Sequence, residues 1–551
     1  MKTTVKHTIV PLAALVLTAC VDSKYDLSDI DTTARIEVHD LVLPVQMDPV
    51  HLSSILDIHD DGIIKEIDNE YVAMQNGTFS SEAVNIRAIN AAAPAGDRIS
   101  GSTILTAEMN GQVPLPLVPY EFAYRHSNVD KYIKTIEKAQ TDLTMTIKLG
   151  CSGGAATFTG LKLQMPKGLS GTPSTGKYDS TTGIITIANA YSATGELTVA
   201  FKVSEIDFTK STARLDTLER TFTYVDQLAL IEGSVKPSSG IGDRVDTWID
   251  FSFSELDVKS MTGIIYYEIQ DLSAERIDLN DIPEELNQDD THLALANPQI
   301  YVKVENPLAH YGLVASTGLA LEQLRNGKVT GSIALPSDFV VKAVEGEQTY
   351  CFTNSKPTYT TLITPSLNLI DFPDLGDIVY GNGLPDQMAF NFINPVMKRG
   401  HVTNLILGQN LGKVIGSYTF YAPVALDGKS QIVYSSDETG WNSDTKDMTI
   451  TAIVLTVDAT NEMPVGAVVK AWPLDTDGNI LQGVTVEGAE IAAGTSQTLN
   501  IRVTGEIHGL DGVRYTATAR PDNSGTVLSP KMSVALDNIK VKVNGYYETT
   551  F

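Results

Sequence analysis

The feature that most constrains the fold is an alternation of apolar and polar residues in many short runs. Successive side chains of a β-strand point to opposite faces, so a period of two is typical of strands with one buried face. Clear runs occupy residues 143–149, 300–304, 388–392 and 539–543. Dipeptides that favour tight hairpins separate such runs, among them Asn76-Gly77, Asn326-Gly327 and Asp477-Gly478. Many short strands joined by turns predict sandwiches or barrels. We expect a mainly β, multi-domain chain of tandem β-sandwiches with a few short helices.

One segment has a different period. In residues 129–139, Tyr132, Ile133 and Ile136 would lie on one face of a helix. We therefore predict a single connecting helix there.

Breaks in the pattern divide the chain into modules. Residues 21–35 are polar and without periodicity, which indicates a flexible tether, and residues 236–243 combine proline, glycine and polar residues as a linker does. Two similar strand patterns end in Asn306-Pro307 and Asn394-Pro395, which favours a repeated sandwich module. The predicted order is a signal peptide at 1–19, a tether at 20–35, an N-terminal mixed β domain with one helix at 36–140, β-sandwiches at 141–240 and 241–360, and a C-terminal β-sandwich region at 361–551.

The first nineteen residues read as a secretory signal rather than a membrane span. Two lysines precede an apolar run at residues 9–16, which is far shorter than the ~20 residues needed to cross a bilayer. The run ends in Leu17-Thr18-Ala19-Cys20, which resembles the lipobox that lipoprotein signal peptidase reads. The resemblance implies that Cys20 becomes the acylated first residue of the mature chain, and it makes a membrane the predicted partner through a lipid anchor.

The charge balance argues against nucleic acid as a partner. The chain has 40 Lys and Arg against 67 Asp and Glu, and no basic stripe is present. Phosphate backbones are bound by clustered Lys and Arg, so we predict no nucleic-acid partner. After Cys20 only Cys151 and Cys351 remain, which excludes a disulfide scaffold.

No motif predicts chemistry. The string Gly168-Leu-Ser-Gly-Thr172 lacks the second glycine of a nucleophile elbow. The nine histidines contain no pair with the helical spacing of a zinc site, and the acidic residues 57–62 fit a solvated turn better than a calcium loop. We therefore predict no catalytic residue, no metal, no cofactor and no enzyme activity.

Tryptophan side chains are candidates for a ligand platform. Trp248 and Trp472 lie in alternating runs and are expected in the core. Trp441 lies in the polar stretch 435–443 and is expected to be exposed, which makes it the candidate platform for a protein or glycan ligand.

Three segments carry a resemblance to a known family: Lys24-Tyr-Asp-Leu-Ser-Asp-Ile-Asp-Thr-Thr33, Leu295-Ala-Asn-Pro-Gln-Ile-Tyr301 and Tyr421-Ala-Pro-Val-Ala-Leu-Asp-Gly428, the last extended through Gly440-Trp441. They resemble segments of Bacteroidota outer-membrane lipoproteins built from tandem, immunoglobulin-like β-sandwich modules. Most of that group are uncharacterised and some are described as adhesins. The resemblance implies a lipid-anchored protein of the outer membrane and cell surface, and a fold rather than an activity.

These observations favour a non-enzymatic binding or adhesion module at the outer membrane. A second possibility is a glycan-binding accessory lipoprotein of a nutrient-uptake system, which would need coplanar exposed aromatic side chains. A third is a fimbrial subunit, with Arg35 as a protease site and residues 537–547 inserted into a neighbouring subunit.

Three short segments also resemble the O-glycosylation signal of Bacteroidota: Asp31-Thr32-Thr33, Asp179-Ser180-Thr181 and Asp216-Thr217-Leu218. The resemblance implies modification at Thr32, Ser180 and Thr217, with Thr32 on the tether as the most accessible. Partial burial beside Leu215 and Leu218 is expected to hinder Thr217. The competing interpretation is that each aspartate only starts a turn.

Overall fold

A computed structural model describes residues 33–43, 50–51, 62–274, 276–279, 290–381, 384–521 and 525–550 of the chain. The predicted fold class is confirmed, because strands dominate throughout the described ranges. In those ranges the strands are, in chain order, β1 (Thr33–Leu43), β2 (Val50–His51), β3 (Ile64–Ile67), β4 (Glu70–Asn85), β5 (Ile89–Ala91), β6 (Asp97–Ile104), β7 (Val113–Pro114), β8 (Pro119–His126), β9 (Ile133–Thr141), β10 (Thr144–Cys151), β11 (Ala156–Gln164), β12 (Leu169–Pro173), β13 (Lys177–Asp179), β14 (Ile184–Ser192), β15 (Glu196–Asp207), β16 (Arg214–Asp216), β17 (Thr221–Pro237), β18 (Arg244–Phe253) and β19 (Leu256–Glu268).

The second half of the chain continues in the same way. Its strands are β20 (Ser273–Ala274), β21 (Ile277–Asp278), β22 (Gln299–Glu305), β23 (Ala315–Arg325), β24 (Lys328–Ala334), β25 (Phe339–Val341), β26 (Glu347–Thr353), β27 (Asn368–Asp371), β28 (Gln387–Ile406), β29 (Asn410–Pro423), β30 (Ile432–Thr439), β31 (Thr449–Asn461), β32 (Val465–Leu474), β33 (Thr485–Glu487), β34 (Ala489–Ile491), β35 (Thr495–Ile507), β36 (Gly512–Pro521) and β37 (Ser533–Thr550).

In the described ranges, helical structure is limited to short pieces. These are one α-helical turn, α1 (Asn442–Thr445), and four 3₁₀ segments at Ala107–Met109, Ala309–Tyr311, Thr360–Leu362 and Pro373–Val379. In the part of the chain that the structure describes, no helix is both long and apolar enough to cross a bilayer.

The strands form three sandwiches. In the first sandwich, the sheet β13-β14-β11-β17-β16, with β7 and β8 on β17, packs on strands β9, β15, β10, β18 and β6 of a large sheet. In the second sandwich, the sheet β20-β4-β29-β22-β26-β27 packs on the rest of that large sheet, β24-β23-β28-β19. Ring pairs join the facing sheets: Phe122 and Phe253 lie 5.2 Å apart between centroids in the first sandwich, and Phe79 and Phe392 lie 5.1 Å apart in the second. The shared sheet makes the first two sandwiches one continuous unit.

The C-terminal sandwich combines both ends of the described chain. Its larger sheet has the order β1-β37-β31-β35-β33, and the facing sheet has the order β30-β36-β32-β34. Strand β1 pairs antiparallel with β37, from Thr33 opposite Thr550 to Leu43 opposite Val541. Residues 33–35, which were expected to belong to a polar tether at 20–35, form part of this paired strand, and residues 20–32 lie outside the described residues.

Strand pairing crosses each boundary expected from the sequence. The boundary at residue 140 falls at the end of β9, which belongs to the same sheet as β10. The segment 236–243 begins in β17 and ends directly before β18, and both strands belong to the first sandwich. The boundary near 360 falls between β26 and β27, which pair in parallel. The predicted divisions at 140, 240 and 360 therefore do not coincide with the edges of the sandwiches.

The predicted helix at residues 129–139 is wrong, since this segment contains β9. In its pairing with β19, Lys134 and Glu137 have no partner residue: Ile133 faces Ile265, and Ile136 faces Gly263. Such β-bulges insert an extra residue into one strand and shift the phase of its alternation. The buried residues Ile133, Ile136 and Ala139 consequently recur every three positions and imitate a helical period.

The two Asn-Pro patterns also have different outcomes. Strand β22 ends at Glu305, directly before Asn306, as expected for a strand that stops at proline. Strand β28 continues through Asn394 and Pro395, where Asn394 has a φ of 49° and the pairing with β23 shifts in register nearby. Proline is accommodated in that strand because it lies at an irregularity, where its missing N–H is not needed by the ladder.

Candidate functional site

An apolar cavity of about 310 Å³ lies inside the C-terminal sandwich and continues into the second sandwich. One wall is the larger sheet, through Leu455, Val457 and Ala459 of β31 and neighbours on β35 and β37. The other wall is the facing sheet, through residues of β30, β32, β34 and β36. The cavity therefore occupies the layer in which side chains of two packed sheets normally interdigitate.

The cavity exists because several inward positions carry alanine. Ala467 on β32 and Ala519 on β36 are directly paired across strands, and Ala517 is the next inward residue of β36. Ala467 packs against a cluster that contains Ala459 of the opposite sheet. Small side chains thus meet from both walls, where a leucine or isoleucine would fill the space.

The size of the cavity is significant for stability. An unfilled cavity costs ~24 cal/mol for each Å³ that the surrounding structure fails to close. The space of about 310 Å³ is partly open rather than sealed, so a cost of the order of 7 kcal/mol is an upper limit for leaving it empty. A cavity of this size is therefore a candidate site for a ligand that replaces the missing contacts.

The second sandwich lines the other end of the cavity, with Phe420, Met388 and Leu295 among the lining residues. Backbone hydrogen bonds fix this junction: the Tyr71 N–H donates to the carbonyl of Leu528 at 2.9 Å, and the Leu528 N–H donates to the carbonyl of Val424 at 2.9 Å. Ligand sites are common at such contacts between modules.

The lining offers almost no polar chemistry. Among the described lining residues, only Asn461, Tyr434 and Tyr515 carry a polar side-chain group. The Asn461 amide is fully used, since Nδ2 donates to the carbonyls of Val465 (2.8 Å) and Ala492 (3.2 Å), and Oδ1 accepts from the Met463 N–H (3.0 Å).

The Tyr515 hydroxyl is the exception in this lining. It is buried and makes no hydrogen bond within the described part of the chain. Burial, and then the nearby charge of Glu438, raises the pKa of Tyr515, so the group stays a neutral hydroxyl over the physiological range. Among the described lining residues this neutral phenol is surrounded by aliphatic side chains and has no neighbouring base that would make it a nucleophile.

Trp441 is not the exposed platform that the sequence indicates, and that expectation is wrong. Its side chain is 4% exposed and packs into the core of the C-terminal sandwich with Met448 and Ile450. Its backbone N–H donates to the carbonyl of Asp511 at 2.7 Å, and its own carbonyl accepts from the Thr445 hydroxyl at 3.1 Å. The polar neighbours of Trp441 remain at the surface while the indole closes one end of the sandwich.

Exposed aromatic side chains are few and separate. Among the described residues, the strongly exposed aromatic side chains are Tyr191 at 71% and Tyr380 at 41%. Tyr191 belongs to the first sandwich, whereas Tyr380 follows a 3₁₀ segment in the second. They do not form the coplanar group that a glycan platform requires.

The two described O-glycosylation candidates are both accessible. Ser180 and Thr217 are exposed in turns, so the expected partial burial of Thr217 is wrong, and neighbouring Leu218 is 91% exposed. The preceding aspartates cap these turns: Asp179 accepts from the Thr181 N–H and Asp216 from the Leu218 N–H, both at 2.9 Å. The Thr181 bond lowers the pKa of the Asp179 carboxyl. The bond from the Glu219 N–H at 2.9 Å, followed by the bond from Leu218, lowers the pKa of the Asp216 carboxyl. The lipidation site Cys20 and Thr32 lie outside the described residues.

The remaining thiols are structural. Cys151 and Cys351 are free and buried, and burial raises the pKa of each. In the described ranges no group of three His, Cys, Asp or Glu side chains is arranged to hold a metal ion.

Comparisons with known proteins assign no family to this chain. No protein-family model and no curated protein matches the chain. A solved structure of a protein inferred to be secreted, from Parabacteroides distasonis, is 16% identical, covers 52% of this chain and 89% of its own, and superposes with a TM-score of 0.36.

The cavity was missed at the sequence level, although one signal was available. In Tyr515-Thr-Ala-Thr-Ala519, and in Val465-Gly-Ala467, the alternation places alanine at inward positions where other strands have larger apolar residues. Alternation alone does not distinguish a filled core from one that leaves space.

Proposed function

We propose that this protein is a non-enzymatic binding lipoprotein of the cell envelope and that it binds an apolar ligand in the cavity. The observation that carries the proposal is the lining itself. It combines a large volume with aliphatic walls, and it offers no carboxylate, imidazole, amine or thiol among the described lining residues. Walls of this kind bind by replacing water and by dispersion contacts, and they supply no acid, base or nucleophile.

The pairing of β1 with β37 supports an anchored binding protein. It brings Thr33, the first described residue after Cys20, to the C-terminal sandwich. The 14 residues from Leu536, which lines the cavity, to Thr550 correspond to ~46 Å at about 3.3 Å per residue. With an acyl anchor at Cys20 in the outer membrane, the cavity would be held well above the membrane surface.

Adhesion through a protein or glycan partner is a second candidate. The anchored end belongs to the C-terminal sandwich, and the first sandwich is joined to it through the second. In this order the first sandwich is the module farthest from the anchor. An adhesin would present its binding module in this way.

A glycan-binding accessory role and a fimbrial role have less support. A glycan-binding accessory protein would need grouped exposed aromatic side chains, and Trp441 is buried. In a fimbrial subunit the last strand would be free to enter a neighbour, but β37 is paired with β1 on one edge and with β31 on the other. Arg35 lies within β1 opposite Glu548, with its guanidinium 3.4 Å from the centroid of the Tyr546 ring.

The test is saturable binding of a small fluorescent probe with apolar rings, anilinonaphthalene sulfonate, to the soluble mature chain from Val21. We expect one dominant site that is lost in Ala467→Phe, which fills the cavity. Val468→Phe is the matched control, because Val468 is the next residue of β32 and faces outward at 39% exposure. Equal binding by both variants would show that the probe binds elsewhere and would contradict the proposal.

A further inference from the structure

The cavity has properties that restrict the class of ligand, and this inference rests on the function proposed above. The first is its uniform apolarity. A sugar, nucleotide or peptide would bring polar groups that need hydrogen bonds, and each one buried without a partner is costly. The described lining offers three polar side-chain groups, of which the Asn461 amide is already satisfied within the protein.

The second property is length. On β31 alone the lining runs from Leu455 to Asn461, six residues or ~20 Å at about 3.3 Å per residue. The cavity then continues past Met463 to residues of the second sandwich such as Phe420. The ligand that fills it is therefore long.

The third property is that the cavity crosses between modules. The sheets of the C-terminal sandwich share no strand with the described sheets of the second sandwich. Isolated bridges such as Leu295 with Leu426, and Ala425 with Val527, join the chain at this contact. The walls of the cavity are consequently supplied by sheets of two different modules. A flexible chain can adapt to walls from two modules along its whole length, whereas a long rigid molecule such as a sterol needs a matching slot over its full length.

The fourth property is the row of small side chains on both walls. Ala467 and Ala519 are opposite each other on paired strands, and Ala459 lies in the facing sheet. Because these three side chains are small, they leave space between the two sheets at this level of the sandwich. We propose that the cavity holds a single long, unbranched acyl chain, whose polar end remains outside the apolar walls.

Two sources would supply this chemistry: a free fatty acid and one chain of a phospholipid. Both present the same methylene chain to the walls, and each buried methylene contributes a similar increment of affinity. The experiment separates them by what is extracted from the protein of the native envelope. The acyl groups on Cys20 are covalent and stay with the chain during organic extraction, so any lipid recovered was bound non-covalently.

The binding arm uses the delipidated soluble mature chain with palmitate and, as the rigid probe, cholesterol. We expect palmitate to bind with a stoichiometry of one and cholesterol to bind at least tenfold more weakly. Ala467→Phe and, independently, Ala519→Phe should each weaken palmitate binding at least tenfold, while Val468→Phe changes it less than twofold. Two filling variants on different strands, each checked for an unchanged near-ultraviolet circular dichroism spectrum, guard against a variant that fails to fold.

The outcomes separate this inference from the proposed function. Anilinonaphthalene sulfonate binding that depends on Ala467, without palmitate binding, would overturn the acyl chain and leave an apolar binding protein. Failure of both probes, in chains that retain the native spectrum, would overturn both and would mean that the chain itself fills the space. The same lipid recovered in equal amount from native Ala467→Phe and Val468→Phe proteins would also overturn the inference. Recovery of fatty acid or of phospholipid, reduced only in Ala467→Phe, supports it and names the source.

Discussion

Enlarging Ala467 should stabilise the ligand-free protein, although enlarging a buried alanine normally destabilises. Ala467→Leu adds three carbon atoms to a wall that faces about 310 Å³ of free space. At about 0.8 kcal/mol for each buried methylene, the gain is at most ~2.4 kcal/mol, and about 1–2 kcal/mol after the cost of ordering the side chain.

Ala471 provides the matched control on the same strand. It points inward four residues later, is 2% exposed and packs in the core outside the cavity lining. Ala471→Leu overfills that core and should cost about 1–3 kcal/mol. Both substitutions replace alanine with leucine. Opposite changes in the free energy of unfolding would therefore report the different space available at the two sites.

The assay is urea unfolding of the delipidated soluble chain, followed by tryptophan fluorescence. In a Trp248→Phe background the signal comes from Trp441 and Trp472, both in the C-terminal sandwich. An upward shift of the midpoint for Ala467→Leu and a downward shift for Ala471→Leu are expected. Added palmitate should stabilise the parent chain and have little effect on Ala467→Leu, since binding to the folded state raises stability by mass action. A loss of stability in Ala467→Leu similar to that in Ala471→Leu would refute the existence of the space.

Four further predictions test other parts of the account. Cys20→Ser should release the protein from membranes and abolish metabolic labelling with a fatty-acid probe; retained label would contradict the anchor. Trp441→Ala should cost about 3–5 kcal/mol in urea unfolding, because it empties a core position; a neutral result would contradict its burial. Burial raises the pKa of Cys351 from 9.0 to about 11. The thiol of the folded protein should therefore react with Ellman's reagent at pH 8 about 100-fold more slowly than the thiol of the protein unfolded in urea. The contribution of this thiol to the free energy of unfolding should be complete below pH 9 and should fall as the pH rises from 9 to 11. Intact mass of protein from the native host should fall by one glycan in Ser180→Ala and in Thr217→Ala; an unchanged mass would leave both aspartates as turn caps only.

The strands could be predicted from the sequence because burial on one face imposes alternation directly. Where that relation is direct, as in the run 143–149 that forms most of β10, the prediction is confirmed. It fails at β9, because the bulges at Lys134 and Glu137 change the phase and produce a helical spacing of buried residues. Bulges depend on the partner strand, β19, which lies more than a hundred residues away in the chain.

The site could not be predicted for a related reason. The polarity of residues 435–443 describes the neighbours of Trp441, whereas the position of its indole is decided by the open end of the sandwich that it fills. The cavity likewise depends on which alanines of β31, β32 and β36 meet across two sheets. That meeting is set by register and by the contact with the second sandwich, neither of which is visible in the local pattern.

The most direct test of the central claim is native mass spectrometry of the mature protein purified from its native host in mild detergent. We predict one non-covalent lipid for each protein molecule, released on collisional activation, present in Val468→Phe and absent in Ala467→Phe. A spectrum that contains only the covalently acylated chain, with no bound lipid in the parent protein, would contradict a ligand-binding cavity.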